Sequence, residues 1–134
     1  MSSRLPFHVD PRDTEGAKDE LSVQVQFQRF MRECAPKVLL VGIPNAGRRS
    51  EWERRQRAKE GLIPGFPDML AFWDGQVAGI EFKSGTGHLS DAQIDTLIRL
   101  HNLQIPVAVF RSAETALDWL RGLWPDAMRG KVTA

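Results

Sequence analysis

The 134-residue chain has one cysteine, Cys34. A lone thiol closes no internal disulfide, so packing alone must hold the fold, and a reducing, cytoplasmic setting is expected. No apolar run is long enough to span a bilayer. The opening "MSSRLPFHVDPRD" lacks the apolar stretch of a secretory signal. The histidines, His8, His88 and His101, are scattered without metal-ligand spacing, and no Ser-His-Asp or Cys-His arrangement can be assembled. "SGTG" at 84–87 is followed by no phosphate-loop lysine and reads as a turn. Repeats and low-complexity tracts are missing. So is any excess of one charge: the net charge is +1, and whole-chain electrostatics announce no polyanionic partner. No membrane partner and no small-molecule organic cofactor is expected.

What is present suits one ordinary globular domain, with 42% apolar and 26% charged residues. Residues 1–17 are polar and read as a flexible arm, residues 18–124 as the domain, and 125–134 as a frayed tail. From Glu20, the stripe Val23, Phe27, Phe30, Met31, Cys34 predicts a helix that Pro36 ends. "KVLLVGI" (37–43) reads as a buried strand, and Ser50 with Glu53 as the capping box of a second helix. "DMLAFW" and "QVAGIEFK" flank Asp74-Gly75, a strong signal for a hairpin with a two-residue type I′ turn. Ser90 and Gln93 form another capping box, opening a helix to about Leu103. "PVAVF" (106–110) is a strand. Ser112 caps a last helix with Ala113, Ala116, Leu117, Leu120 and Trp124 on one side. The hairpin strands are apolar on both faces, so the sheet needs cover on both. The link from the second hairpin strand through a helix to 106–110 is a crossover to a parallel strand. The result is a mixed α/β sandwich. Trp73 and Trp119 are expected in the core, with Trp52 and Trp124 exposed.

"GRRSEWERRQRAK" carries Arg48, Arg49, Arg54, Arg55, Arg57 and Lys59 against Glu51 and Glu53. By itself such a run is a solvated helix face.

The hairpin says more. A two-residue loop sets Trp73 opposite Gln76, and stepping outward pairs Asp68 with Glu81. Side chains alternate, so Lys83 shares the face of Glu81. Like charges across a ladder repel, and desolvation in so apolar a strand adds to the cost. A divalent cation compensates directly, because carboxylate oxygens are ligands Mg²⁺ prefers. Lys83 offsets part of the charge and can stabilise a forming oxyanion. The backbone carbonyl of Phe82 lies between the two acids as a further oxygen donor. This is the equipment for metal-dependent phosphodiester hydrolysis. The rival reading is a carboxylate–lysine salt bridge at a wet strand end.

"PD" at 67–68 with "EFK" at 81–83 resembles the PD-(D/E)xK nuclease signature. With Glu20 and Gln24 in "ELSVQ", "GIPNAGRRS" (42–50), "KEGLIPGFPDML" (59–70), "IEFKSGTGHLSDAQ" (80–93) and "IPVAVF" (105–110), the chain resembles the VRR-NUC domain, including its short stand-alone phage forms. The resemblance implies an α/β, restriction-endonuclease-like three-layer core, with a mixed β-sheet of four strands flanked by helices in αβ(α)ββαβα order. It implies a DNA endonuclease using Mg²⁺ or Mn²⁺ on branched DNA or four-way junctions, in a phage-infected or prophage-carrying cell; symmetric cuts across a junction need two active sites, hence a homodimer. Asp68, Glu81, the Phe82 carbonyl and Glu20 would hold metal. Asp68, Glu81, Lys83, Glu20 and Gln93 would form the catalytic set, with Gln93 a cap, a site residue, or both. Asn45, Arg48 and Arg49 would contact DNA. A non-cleaving DNA-binding module and a type II restriction-like enzyme are the alternatives.

Overall fold

The computed structural model describes residues 4–13, 15, 18–44 and 51–129. Its elements run β1 (His8–Val9), α1 (Glu20–Cys34), β2 (Leu39–Gly42), α2 (Glu51–Lys59), β3 (Met69–Trp73), β4 (Gln76–Phe82), α3 (Asp91–Asn102), β5 (Val107–Phe110) and α4 (Ala113–Leu123), then a 3-10 turn at Pro125–Ala127. Asp74 and Gly75 have φ of 49° and 74°, the pair of left-handed conformations a type I′ turn demands. The turn pairs Trp73 with Gln76 and Met69 with Ile80, the register read from the sequence.

The sheet has five strands, not the expected four, in the order β1-β5-β4-β3-β2. β5 is parallel to β4 and β1, while β2–β3 and β3–β4 are antiparallel. The additional strand comes from the stretch expected as a flexible arm. His8 and Val9 pair with Ala108 and Val109, a bond made by backbone groups that carry no side-chain pattern. Part of the expected frayed tail also packs: Ala127 is buried and Arg129 N–H donates to Cys34 O at 2.6 Å.

Each described cap follows from local chemistry. Asp19 accepts from Ser22 N–H at the start of α1, Ser90 and Gln93 close a reciprocal box on α3, and Ser112 accepts from Thr115 N–H on α4. Ser50, expected to cap α2, lies outside the described residues.

Alternation along the strands separates two apolar layers. Met69, Ala71, Ala78, Ile80, Phe82, Ala108 and Phe110 pack with Val23, Phe27 and Met31 of α1 and with Ala116 and Leu120 of α4. On the other face Val107 and Val109 meet Leu97 of α3. Trp73 and Trp119 border the first cluster as expected. Trp124, expected to be exposed, is buried, and its Nε1 donates to Gln76 Oε1 at 3.1 Å. Trp52 is 67% exposed on α2, which buries no residue. β2 is not the buried strand expected. It is a sheet edge, and Leu39 is 63% exposed beside its exposed partner Phe72.

Gly65 joins the second layer to the hairpin. Its φ is +75°, and a Cβ there would stand 2.3 Å from the backbone of Ala92. Thr96 Oγ1 donates to Pro64 O at 2.8 Å, tying the same loop to α3. Gly65→Ala must push the start of α3 away as well as strain the backbone. We expect a loss of roughly 2–4 kcal/mol, read from urea unfolding; a loss below about 1 kcal/mol would show that the loop simply shifts.

Candidate active site

Asp68 stands one residue before β3, and Glu81 is next to last in β4. One further step of the ladder sets them opposite each other. Phe82 N–H donates to Asp68 Oδ2 at 2.8 Å, and Ile43 N–H donates to Asp68 O at 2.8 Å. The aspartate is thereby fixed between β2 and β4. Glu81 is only 2% exposed. It is covered by α3, from which Gln93 Nε2 donates to Glu81 Oε2 at 3.0 Å. Lys83 Nζ lies 3.9 Å from Glu20 Oε1, a loose ion pair with the lysine side chain 13% exposed.

Gln93 caps α3 and also reaches Glu81. Its backbone N–H and Oε1 complete the box with Ser90, while its Nε2 reaches Glu81. The two ends of one amide serve the two roles. Ser90→Ala removes only the box and should cost about 1 kcal/mol with cleavage little changed. Gln93→Ala should cost a similar amount and also lower cleavage by about tenfold or more, because Glu81 Oε2 loses its donor. Thermal melting with a gel cleavage assay checks both; equal effects of the two variants on cleavage would leave Gln93 a cap alone.

The electrostatics follow from burial. Desolvation and then the charge of Asp68 push the Glu81 carboxyl up to about 9, against a smaller opposing pull from Lys83. Asp68 is raised as well, first by desolvation, with its bond from Phe82 N–H pulling the other way. Glu81 Oε1 is buried and, as a carboxylate oxygen, has no hydrogen-bond partner among the described residues. Protonated, the Glu81 carboxyl instead donates to Asp68, which partly offsets the rise at Asp68. Burial thus favours the neutral form of both carboxyls.

This environment fits a divalent ion. Once Glu81 gives up its proton, its unpartnered oxygen stands beside the half-buried Asp68 carboxylate, and hard oxygen donors suit Mg²⁺ or Mn²⁺. Among the described residues no group of three or more His, Cys, Asp and Glu side chains is gathered to hold an ion. Glu20 leans on Lys83, so the central pair is Asp68 and Glu81. Asn45, Arg48 and Arg49 lie outside the described residues. His88 is exposed, as expected for a loop histidine.

The family model of the VRR-NUC domain matches residues 10–114. The chain belongs to the VRR-NUC domain family. Comparison with curated proteins and with solved structures gives no match. As a VRR-NUC domain this is a nuclease of the PD-(D/E)xK fold with DNA as its substrate. The VRR-NUC match opens at Asp10, inside the stretch expected as an arm. There a buried carboxylate accepts from Arg111 N–H at 2.9 Å, and the Arg111 side chain binds the carbonyls of Asp10, Ser84 and Gly87. Sequence reasoning passed over Asp10 and Arg111, whose partnership spans a hundred positions and leaves no local signal.

Proposed function

We propose that this VRR-NUC domain is a Mg²⁺- or Mn²⁺-dependent endodeoxyribonuclease that cuts branched DNA as a homodimer. The observation that carries the metal requirement is the buried Glu81, with its unpartnered Oε1, opposite the half-buried Asp68. Asp68 and Glu81 would hold the ion. In extended backbone a residue's N–H and C=O leave on the same side, so the Phe82 carbonyl faces Asp68, as its N–H does. A bound divalent ion supplies an activated water and neutralises charge on the scissile phosphate. Gln93 keeps Glu81 aimed and withholds bulk water from it. The Lys83 ammonium faces charge developing on the phosphate and orients the attacking water. Glu20 holds Lys83 at the mouth of the site. Asn45, Arg48 and Arg49 would bind DNA.

Symmetric cuts across a four-way junction need two active sites, hence a C2 pair. The exposed Leu39 and Phe72, paired at the open sheet edge, offer an apolar contact for it. The setting is cytoplasmic, in a bacterial cell carrying phage or prophage, and Cys34 is free.

The test incubates the protein with four-way, duplex and single-stranded DNA, with and without Mg²⁺ or Mn²⁺, and measures its mass by light scattering. Junction cleavage only with the ion, by a dimer, is the expected result. Cleavage undiminished by chelator removes the metal from the reading; a monomer removes junction resolution; binding without turnover under either metal favours the non-cleaving alternative.

A further inference from the structure

We propose that a cavity one strand along the sheet rim from Glu81 holds a phosphate group of the DNA other than the one cleaved. The inference rests on the nuclease reading above and adds a substrate subsite to it.

The cavity has a volume of about 450 Å³ and is lined by Arg12, Lys18 and Arg111, with Asp10 and Asp13 among its walls. It sits where Asp10 leaves β1, Arg111 leaves β5 and Gly85 follows β4. Those strands are parallel, and ligands of open α/β sheets bind beyond the carboxyl ends of such strands. Lys83 leaves the same rim, and its N–H donates to Phe110 O, the residue before Arg111. Lys18 stands two residues before Glu20, which pairs with Lys83. One DNA strand crossing the active site therefore passes this cavity too.

The charges are arranged for an anion. Both Asp10 oxygens are occupied within the protein, Oδ1 by His8 Nε2 and Oδ2 by Arg111 N–H and the Thr115 hydroxyl. Asp13 Oδ1 accepts from Glu15 N–H. The cations are not spent in this way. Arg111 donates Nε to Asp10 O at 3.0 Å, and Nη1 to Ser84 O at 2.6 Å and Gly87 O at 2.8 Å. All three acceptors are neutral carbonyls, so its guanidinium is held rigidly, with the Asp10 carboxylate as a counter-charge beside it. Among the described residues Arg12 and Lys18 have no ion-pair partner. Ser112 and Thr115 at the start of α4 complete the wall, adding the positive end of a helix dipole. A tetrahedral dianion or diester oxygen pair is the ligand chemistry this matches.

Arg12 and Lys18 are exposed, so the double variant Arg12→Ala/Lys18→Ala should keep the fold, which thermal melting checks. Binding is followed by fluorescence anisotropy in Ca²⁺ over a salt series, on a hairpin-closed duplex and on nicked duplexes ending in 5′-phosphate or 5′-hydroxyl. The slope of log affinity against log salt should fall by roughly 2, one for each lost phosphate-facing cation, with affinity at least tenfold weaker. A single uncharged methylphosphonate, moved along the strand, should weaken wild type at one non-scissile position and leave the double variant indifferent there. Equal losses on all three substrates assign a backbone phosphate; a loss confined to the 5′-phosphate assigns a chain end; either supports the site. Unchanged slope and an unchanged methylphosphonate profile, with wild type binding and cutting, overturn it. A wild type that neither binds nor cuts DNA overturns the nuclease reading first and this inference with it.

Discussion

Glu81→Gln should cut no DNA, yet at pH 8 without divalent ions it should unfold at a higher temperature than the parent protein. Both outcomes come from one buried carboxyl whose pKa is raised from 4.5 to about 9. Below 4.5 the group is protonated in folded and unfolded chains alike, and folding is indifferent to it. Between 4.5 and about 9 the folded chain holds a proton the unfolded chain has released. Stability therefore falls as pH rises across that window, and the loss is complete above it. The raised pKa of Asp68 acts in the same direction. The cost is on the order of several kcal/mol by pH 9, equivalent to ten degrees or more in melting temperature for a domain of this size. Glutamine keeps the shape and the acceptor for Gln93 Nε2 but carries no charge to desolvate, so its melting temperature should be nearly flat from pH 5 to 9. Mg²⁺ or Mn²⁺ should restore the parent at alkaline pH and leave the variant unmoved, because Glu81 must give up its proton to hold an ion. For the same reason the ion concentration for half-maximal cleavage should drop as pH rises from 6 to 9. Calorimetry over that range decides; a parent protein whose ion-free stability climbs with pH would contradict the burial of Glu81.

Asp68→Asn and Asp68→Ala should each lower cleavage by at least about a thousandfold, the scale of losing charge stabilisation at a reacting phosphate. They should differ in stability. Asparagine retains an oxygen to accept Phe82 N–H. Alanine leaves that N–H without its acceptor, at roughly 1–3 kcal/mol, partly offset by removing a carboxylate from beside Glu81. Single-turnover cleavage and urea unfolding separate the effects. An asparagine variant with more than a tenth of parental activity would show that Asp68 anchors the strand end and does no more.

Much of the site was legible because its information is local. Asp74-Gly75 sets a two-residue turn, the turn sets the register, and the register sets Asp68 against Glu81. S-x-x-Q at Ser90 predicts the box that is present. What was not legible depends on neighbours far along the chain. β1 joins the sheet through backbone bonds, so no alternation marked it. Trp124, expected to be exposed, is buried beside the 3-10 turn that follows α4. The stretch 37–43 looks like a buried strand, yet it lies at the sheet edge, and apolar composition alone does not say which strands stand outermost.

Sequence alone determined the order of helices and strands from α1 onward, the hairpin, the caps on α3 and α4, and the opposition of two acids beside a lysine. Turn geometry and side-chain alternation act over a few residues and need no knowledge of the rest. Only the tertiary structure decided that α3 closes over Glu81 and that Asp10 and Arg111 meet beside the rim. Burial and charge compensation depend on which surfaces are pressed together, and that is settled when the whole chain packs.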